Sequence, residues 1–92
     1  MIADFRYAKK PAPNDVVVRL FWENGERMGQ IILPESLEQI VIEEELPDLS
    51  PLPAISAVAY AMVLAAHSHR SLRLSGDDGV WPSEWGRLVR AR

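Results

Sequence analysis

The side chains with the widest chemical reach in this chain are His67 and His69, which flank Ser68, and the pair Asp77-Asp78 that follows. A metal centre takes three or four ligands, and an H-x-H pair on a strand can supply two. Here the pair falls at the end of a helical pattern, where residues two apart splay by about 200° around the axis. The imidazoles converge only if the helix stops at His67. Asp77 or Asp78 completes a set only if the following strand folds back. The simpler reading is that both histidines face the free carbonyls of a helix C-terminus. No metal ligand is assigned.

Ser56, Tyr60 and His67 form a second constellation, with helical angles within about 40° of one another. Histidine is the side chain best suited to general-base work near neutral pH. Ser56 and His67, however, are eleven residues apart, roughly 16 Å along a helix, too far for a nucleophile and its base. The stripe marks where an apolar helix meets water.

The third is "GDDGVWPSEWGRLVR" (76–90), which holds two of the three tryptophans four residues apart. Asp and Gly together are turn chemistry, and the register of a twelve-residue calcium loop is missing. If a helix begins at Pro82, then Trp85, Leu88 and Val89 share one face, and Glu84 suits the dipole. Trp81 then folds back on that surface as a staple. The segment reads as a turn, a helix start and a core plug. If one of its two tryptophans is exposed, Trp81 is the one expected.

Other chemistry is lacking. The five glycines assemble into no phosphate loop, and no G-x-S-x-G elbow occurs. The chain has no cysteine, which excludes a disulfide framework, a thiolate site and a cysteine nucleophile, and fits a reducing, cytoplasmic setting. No enzyme and no cofactor are expected. Tyr60, His67, His69, Trp81, Asp77 and Asp78 stand as candidate ligand or interface contacts.

The elements that must position these residues follow from pattern. Residues 1–14 read as a ragged N-terminal segment, with "KKPAPN" a turn or linker. The start shows no basic end before a long apolar run, so no export signal is expected. Residues 15–92 read as a single domain. "DVVVRLFW" (15–22) and "RMGQIIL" (27–33) flank Asn24-Gly25, the strongest short-range hairpin signal. Residues 33–47 suit a short helix, with a third strand as the rival. The main helix spans about 52–68. Leu52, Ile55, Val58, Ala59, Met62, Val63 and Ala66 fill one broad face, with a ridge of Ala57, Ala61 and Ala65 behind it. Such a ridge lets another backbone approach closely. Residues 49–69 carry no charge, but the prolines leave about fifteen helical residues, short of the ~20 that span a bilayer. A strand at 71–75 and a short terminal helix complete a small α+β fold: an antiparallel sheet of the hairpin plus a later strand, covered by one main apolar helix and one or two short helices.

The net charge of −3 is segregated. Residues 35–50 are wholly acidic in their charged positions (Glu35, Glu38, Glu43, Glu44, Glu45, Asp48). This block and the acidic balance argue against nucleic acid as partner and favour a solvated face or a docking surface. A helix apolar all round, in a chain of 92 residues, leaves little material to cover it. The function expected is a small cytoplasmic, non-enzymatic accessory protein working through protein–protein contacts and self-associating, a dimer favoured, or else binding another protein. The alternative is a small-molecule or metal-binding module built on His67, His69 and Trp81.

Overall fold

A computed structural model of the chain describes residues 4–10, 13–34 and 51–90. They form a six-stranded sheet with one helix across it, in the order β1 (Asp4–Tyr7), β2 (Val16–Glu23), β3 (Glu26–Ile32), β4 (Leu52–Pro53), α1 (Ala54–Ser68), β5 (Leu72–Gly76) and β6 (Arg87–Arg90). The α+β class expected from the sequence is present. The strand order is β4-β3-β2-β5-β1-β6.

The hairpin forms as its residues dictate. Asn24 and Gly25 take φ of 51° and 77°, the left-handed pair a two-residue turn requires, and Glu23 pairs with Glu26. Registers Val16↔Leu72, Val18↔Leu74 and Val18↔Ile31 put the apolar positions of three strands on one face. Val16, Val18, Leu20 and Leu74 are at most 1% exposed there. That row is the centre of the core.

The helix meets this face through its small residues. Ala54, Ala57, Val58, Ala61 and Ala65 are its buried positions. Gly29, beside Leu20 in the ladder, is what they approach: a Cβ built there would stand 2.9 Å from Val18 Cγ1 and 3.0 Å from Ala57 Cβ. The alanine ridge therefore seats the helix backbone on the sheet. The larger side chains at Ile55, Met62 and Val63 are left outside.

Four expectations need correction. The sheet is mixed, since β2–β5, β1–β5 and β1–β6 are all parallel. The crossover through α1 returns the chain from the edge to the middle, so β5, with Leu72 and Leu74, pairs with hairpin strand β2 in parallel and lies between β2 and β1. Asp4–Tyr7, within the stretch read as ragged, is a strand of that sheet, with Phe5 and Tyr7 packed against the core. The terminal helix is replaced by two single-turn 3-10 segments, Asp78–Val80 and Ser83–Trp85, followed by β6. Gly86 takes φ 130°, outside helical space, and turns the chain into the β1 ladder before a second helical turn can form. Leu52 and Pro53 pair with Gly29 and Met28, so the helix begins at Ala54 rather than 52. The proposed helix at 33–47 lies outside the described residues from Glu35 onward. Among the described residues no helix is long and apolar enough to cross a membrane.

Candidate functional site

The chemistry-bearing residues singled out in the sequence are not brought together. His67 lies in the last turn of α1 and His69 is its left-handed cap at φ 57°, both exposed. The cap closes as helix carbonyls require: His69 N–H donates to Ala66 O at 3.3 Å and Arg70 N–H to Ala65 O at 2.9 Å. Asp77 and Asp78 follow the opposite end of β5, and five strand residues span roughly 16 Å. Among the described residues, no three His, Asp or Glu cluster where they could hold a metal ion.

Asp77 has a structural task. Gly76, at φ 82°, turns so close to β2 that a Cβ would lie 2.3 Å from Leu20 O. Asp77 N–H then donates to that same carbonyl at 2.9 Å, and its carboxylate accepts from Gly79 N–H at 2.9 Å. Asp78 accepts through its carbonyl from Trp81 N–H at 3.1 Å. Val80, fully buried, is pinned from the hairpin: Arg27 Nε donates to its carbonyl at 3.0 Å while the guanidinium stands 5.1 Å from the Trp22 ring centroid. The turn expected from "GDDG" is thus a tether that aims Trp81.

Trp81 is 9% exposed and closes the core, as the plug reading required. Its ring lies 4.7 Å from Phe5 and meets Trp85 edge-on at 5.4 Å, and its Nε1 donates to Gly86 O at 3.0 Å. The tryptophan at the surface is instead Trp22, 45% exposed. It shares the helix-side face with Leu20 at the hairpin end, where its cross-strand neighbour is Arg27.

These rings wall a groove. About 300 Å³ lies between Phe5, Trp81, Glu84 and Trp85 on one side and Ile55, Ala59 and Met62 on the other, with buried Val58 among the lining residues. Glu84 is the one charged residue lining it among the described residues. Beyond the groove the bare stripe of α1 continues through Ala66 to Val63, which is 66% exposed. At about 100° per residue, Ile55, Ala59, Met62, Val63 and Ala66 span a 100° arc opposite the alanine ridge. No Asp, Glu, Lys or Arg occurs anywhere in Ala54–Ser68. Tyr60, half-buried at the edge of this arc, has a shielded hydroxyl that makes no hydrogen bond among the described residues.

Sequence reasoning missed Phe5, because four residues of "DFRY" are too short to distinguish from a loose end. Its signal was the alternation of Phe5 and Tyr7 with polar neighbours. The face Ile55–Ala66 was visible as apolar, yet nothing in periodicity says which of two apolar faces a sheet will take.

Comparison with protein-family models, with curated protein sequences and with solved structures finds no match to this chain.

Proposed function

We propose that this chain is a non-enzymatic accessory protein that works by protein–protein contact, docking a second copy of itself on the bare face of α1. The observation that carries this reading is the exposed stripe of Ile55, Met62 and Val63 on a fifteen-residue helix without a charged side chain. Single exposed apolar residues need no explanation, but a stripe continuous with an aromatic groove does.

A second copy suits the face better than an unrelated partner. A two-fold contact joins the same patch on both copies, and such a patch is self-complementary most simply when it carries no charge that needs an opposite partner. This helix presents none. Two copies crossing antiparallel also oppose their dipoles favourably, and exposed Ala59 and Ala66 allow the backbones close approach. The groove beside them receives an apolar side chain from the partner helix.

The alternative built on His67, His69 and Trp81 has no such support. Trp81 lines the groove across from Ala59, and His67 lies eight residues on from Ala59, about 12 Å along the axis. Thermal unfolding separates the readings. Self-association predicts a melting temperature that rises with protein concentration, and no shift with divalent metals. A concentration-independent melt, or a zinc shift lost in His67→Ala, refutes it.

A further inference from the structure

Three aromatic rings and a carboxylate line the groove beside α1. The plane of Trp81 stands 89° from that of Trp85 and 57° from that of Phe5, with centroids 5.4 and 4.7 Å apart. Rings stacked flat would cover one another's faces, whereas rings set at steep angles make the walls of a corner. Half-buried Phe5 and Trp85 form the sides of this corner, and buried Trp81 forms its back. Glu84, exposed, directly precedes Trp85 in the 3-10 turn Ser83–Trp85, so carboxylate and ring are carried by one turn. Ile55 and Met62 line the space from α1.

The loop that carries these groups is braced from within. Trp81 Nε1 donates to Gly86 O at 3.0 Å, Trp85 N–H to Pro82 O at 3.1 Å and Gly86 N–H to Ser83 O at 3.2 Å. Phe5 arrives from β1, whose ladder with β6 pairs it with Leu88. The walls are therefore set before anything enters, and little conformational freedom is lost when the groove fills.

We infer that this groove binds a small quaternary ammonium compound, its methyl groups against the rings, Ile55 and Met62, and its charge beside Glu84. The face of an aromatic ring is negative, so a cation within about 6 Å of the centroid is attracted, by tryptophan most strongly. A quaternary ammonium carries its charge beneath methyl groups and has no N–H, so it enters an apolar groove without leaving a donor unsatisfied. A space of about 300 Å³ is at the small end of ligand sites, which suits a compound of this size. This is the groove that the self-docking reading fills with a partner's side chain, so the ligand and a second copy compete for it. The assignment rests on the walls themselves and not on the pairing, and it makes no use of His67 or His69.

The test is an NMR titration at constant ionic strength with choline and with its uncharged isostere, in which tert-butyl replaces trimethylammonium. It is run on Val63→Glu, whose substitution lies outside the residues that line the groove and opposes pairing of copies. The chain has three tryptophans, and their indole N–H signals are the readout. Choline should move the signals of Trp81 and Trp85 saturably and leave that of Trp22 in place. The isostere should bind at least about tenfold more weakly. Glu84→Gln on the same background should weaken choline about fivefold, and Glu84 is exposed, so the change leaves the core intact. Binding by Val63→Glu upholds the site even where sedimentation finds the parent monomeric, so the two readings fail separately. No saturable shift at about 50 mM choline, equal affinity for the isostere, or undiminished affinity in Glu84→Gln overturns the assignment.

Discussion

Replacing Gly29 by alanine tests the seating of the helix most sharply. The added methyl would lie 2.9 Å from Val18 Cγ1, 3.0 Å from Ala57 Cβ and 3.5 Å from Ala54 Cα. Carbon atoms settle at about 3.5–4.0 Å, so two of the three contacts overlap by roughly half an ångström or more. Val18 and Ala57 are both fully buried, and a β-branched side chain in a strand has little rotameric freedom to yield. The helix must therefore lift, loosening the whole Ala54–Ala65 ridge. Overpacking of this kind costs about 1–3 kcal/mol, and two overlaps on fully buried groups place it near the upper end. Against it stand about 0.8 kcal/mol for the buried methyl and a gain of similar size from stiffening the unfolded chain. A net loss of about 1–2 kcal/mol remains, which lowers the melting temperature of a domain this size by about 5–15 °C. Urea unfolding at fixed protein concentration should show a lower midpoint with an unchanged slope. Adding Ala57→Gly removes one overlap, so the double variant should lose less than the sum of the two single changes by about 0.5 kcal/mol or more. A Gly29→Ala protein as stable as the parent would refute the claim that the alanine ridge rests on this strand.

Gly76→Ala is expected to be worse, because its Cβ would meet Leu20 O at 2.3 Å at a φ of 82°. A loss of about 3 kcal/mol or more, seen as failure to reach a cooperative melt, is the outcome; near-parental stability would contradict the turn. Iodide quenching of tryptophan fluorescence should be dominated by Trp22, 45% exposed against 9% for Trp81. Trp22→Phe should therefore remove most of the accessible fraction and Trp81→Phe little of it. The reverse result would mean that Trp81 does not close the core.

What the sequence makes legible here is local. Asn24-Gly25 can turn in one way and specifies the hairpin. The alternation in "LRLSG" marks β5, and the run from Ala54 marks the helix. Strand direction is not local. Nothing in "DFRY" or "RLVR" says that each will lie parallel to its neighbours, and Leu88 and Val89 side by side suit a helix as well as a strand. The difference is made at Gly86, whose backbone turns the chain towards β1, and by Phe5, which offers Leu88 a cross-strand partner. The bare face of α1 shows the same division. Both apolar sides of α1 were apparent, but the choice between them rests on close approach. Gly29 leaves room for an alanine and none for Ile55 or Met62, so the smaller side chains go in and the larger remain out.

The central claim is that this bare face holds a second copy of the chain. Sedimentation equilibrium of the parent protein beside Val63→Glu tests it, over concentrations from micromolar to millimolar. Val63 is 66% exposed, so the substitution leaves the monomer's fold intact, to be checked by circular dichroism. Across a two-fold contact it introduces a carboxylate from each copy onto a helix face that carries no Asp, Glu, Lys or Arg. The account predicts a reversible monomer–dimer equilibrium for the parent and at least about a 100-fold weaker association for the variant. A parent protein that stays monomeric throughout, or a variant that dimerises as the parent does, would contradict it.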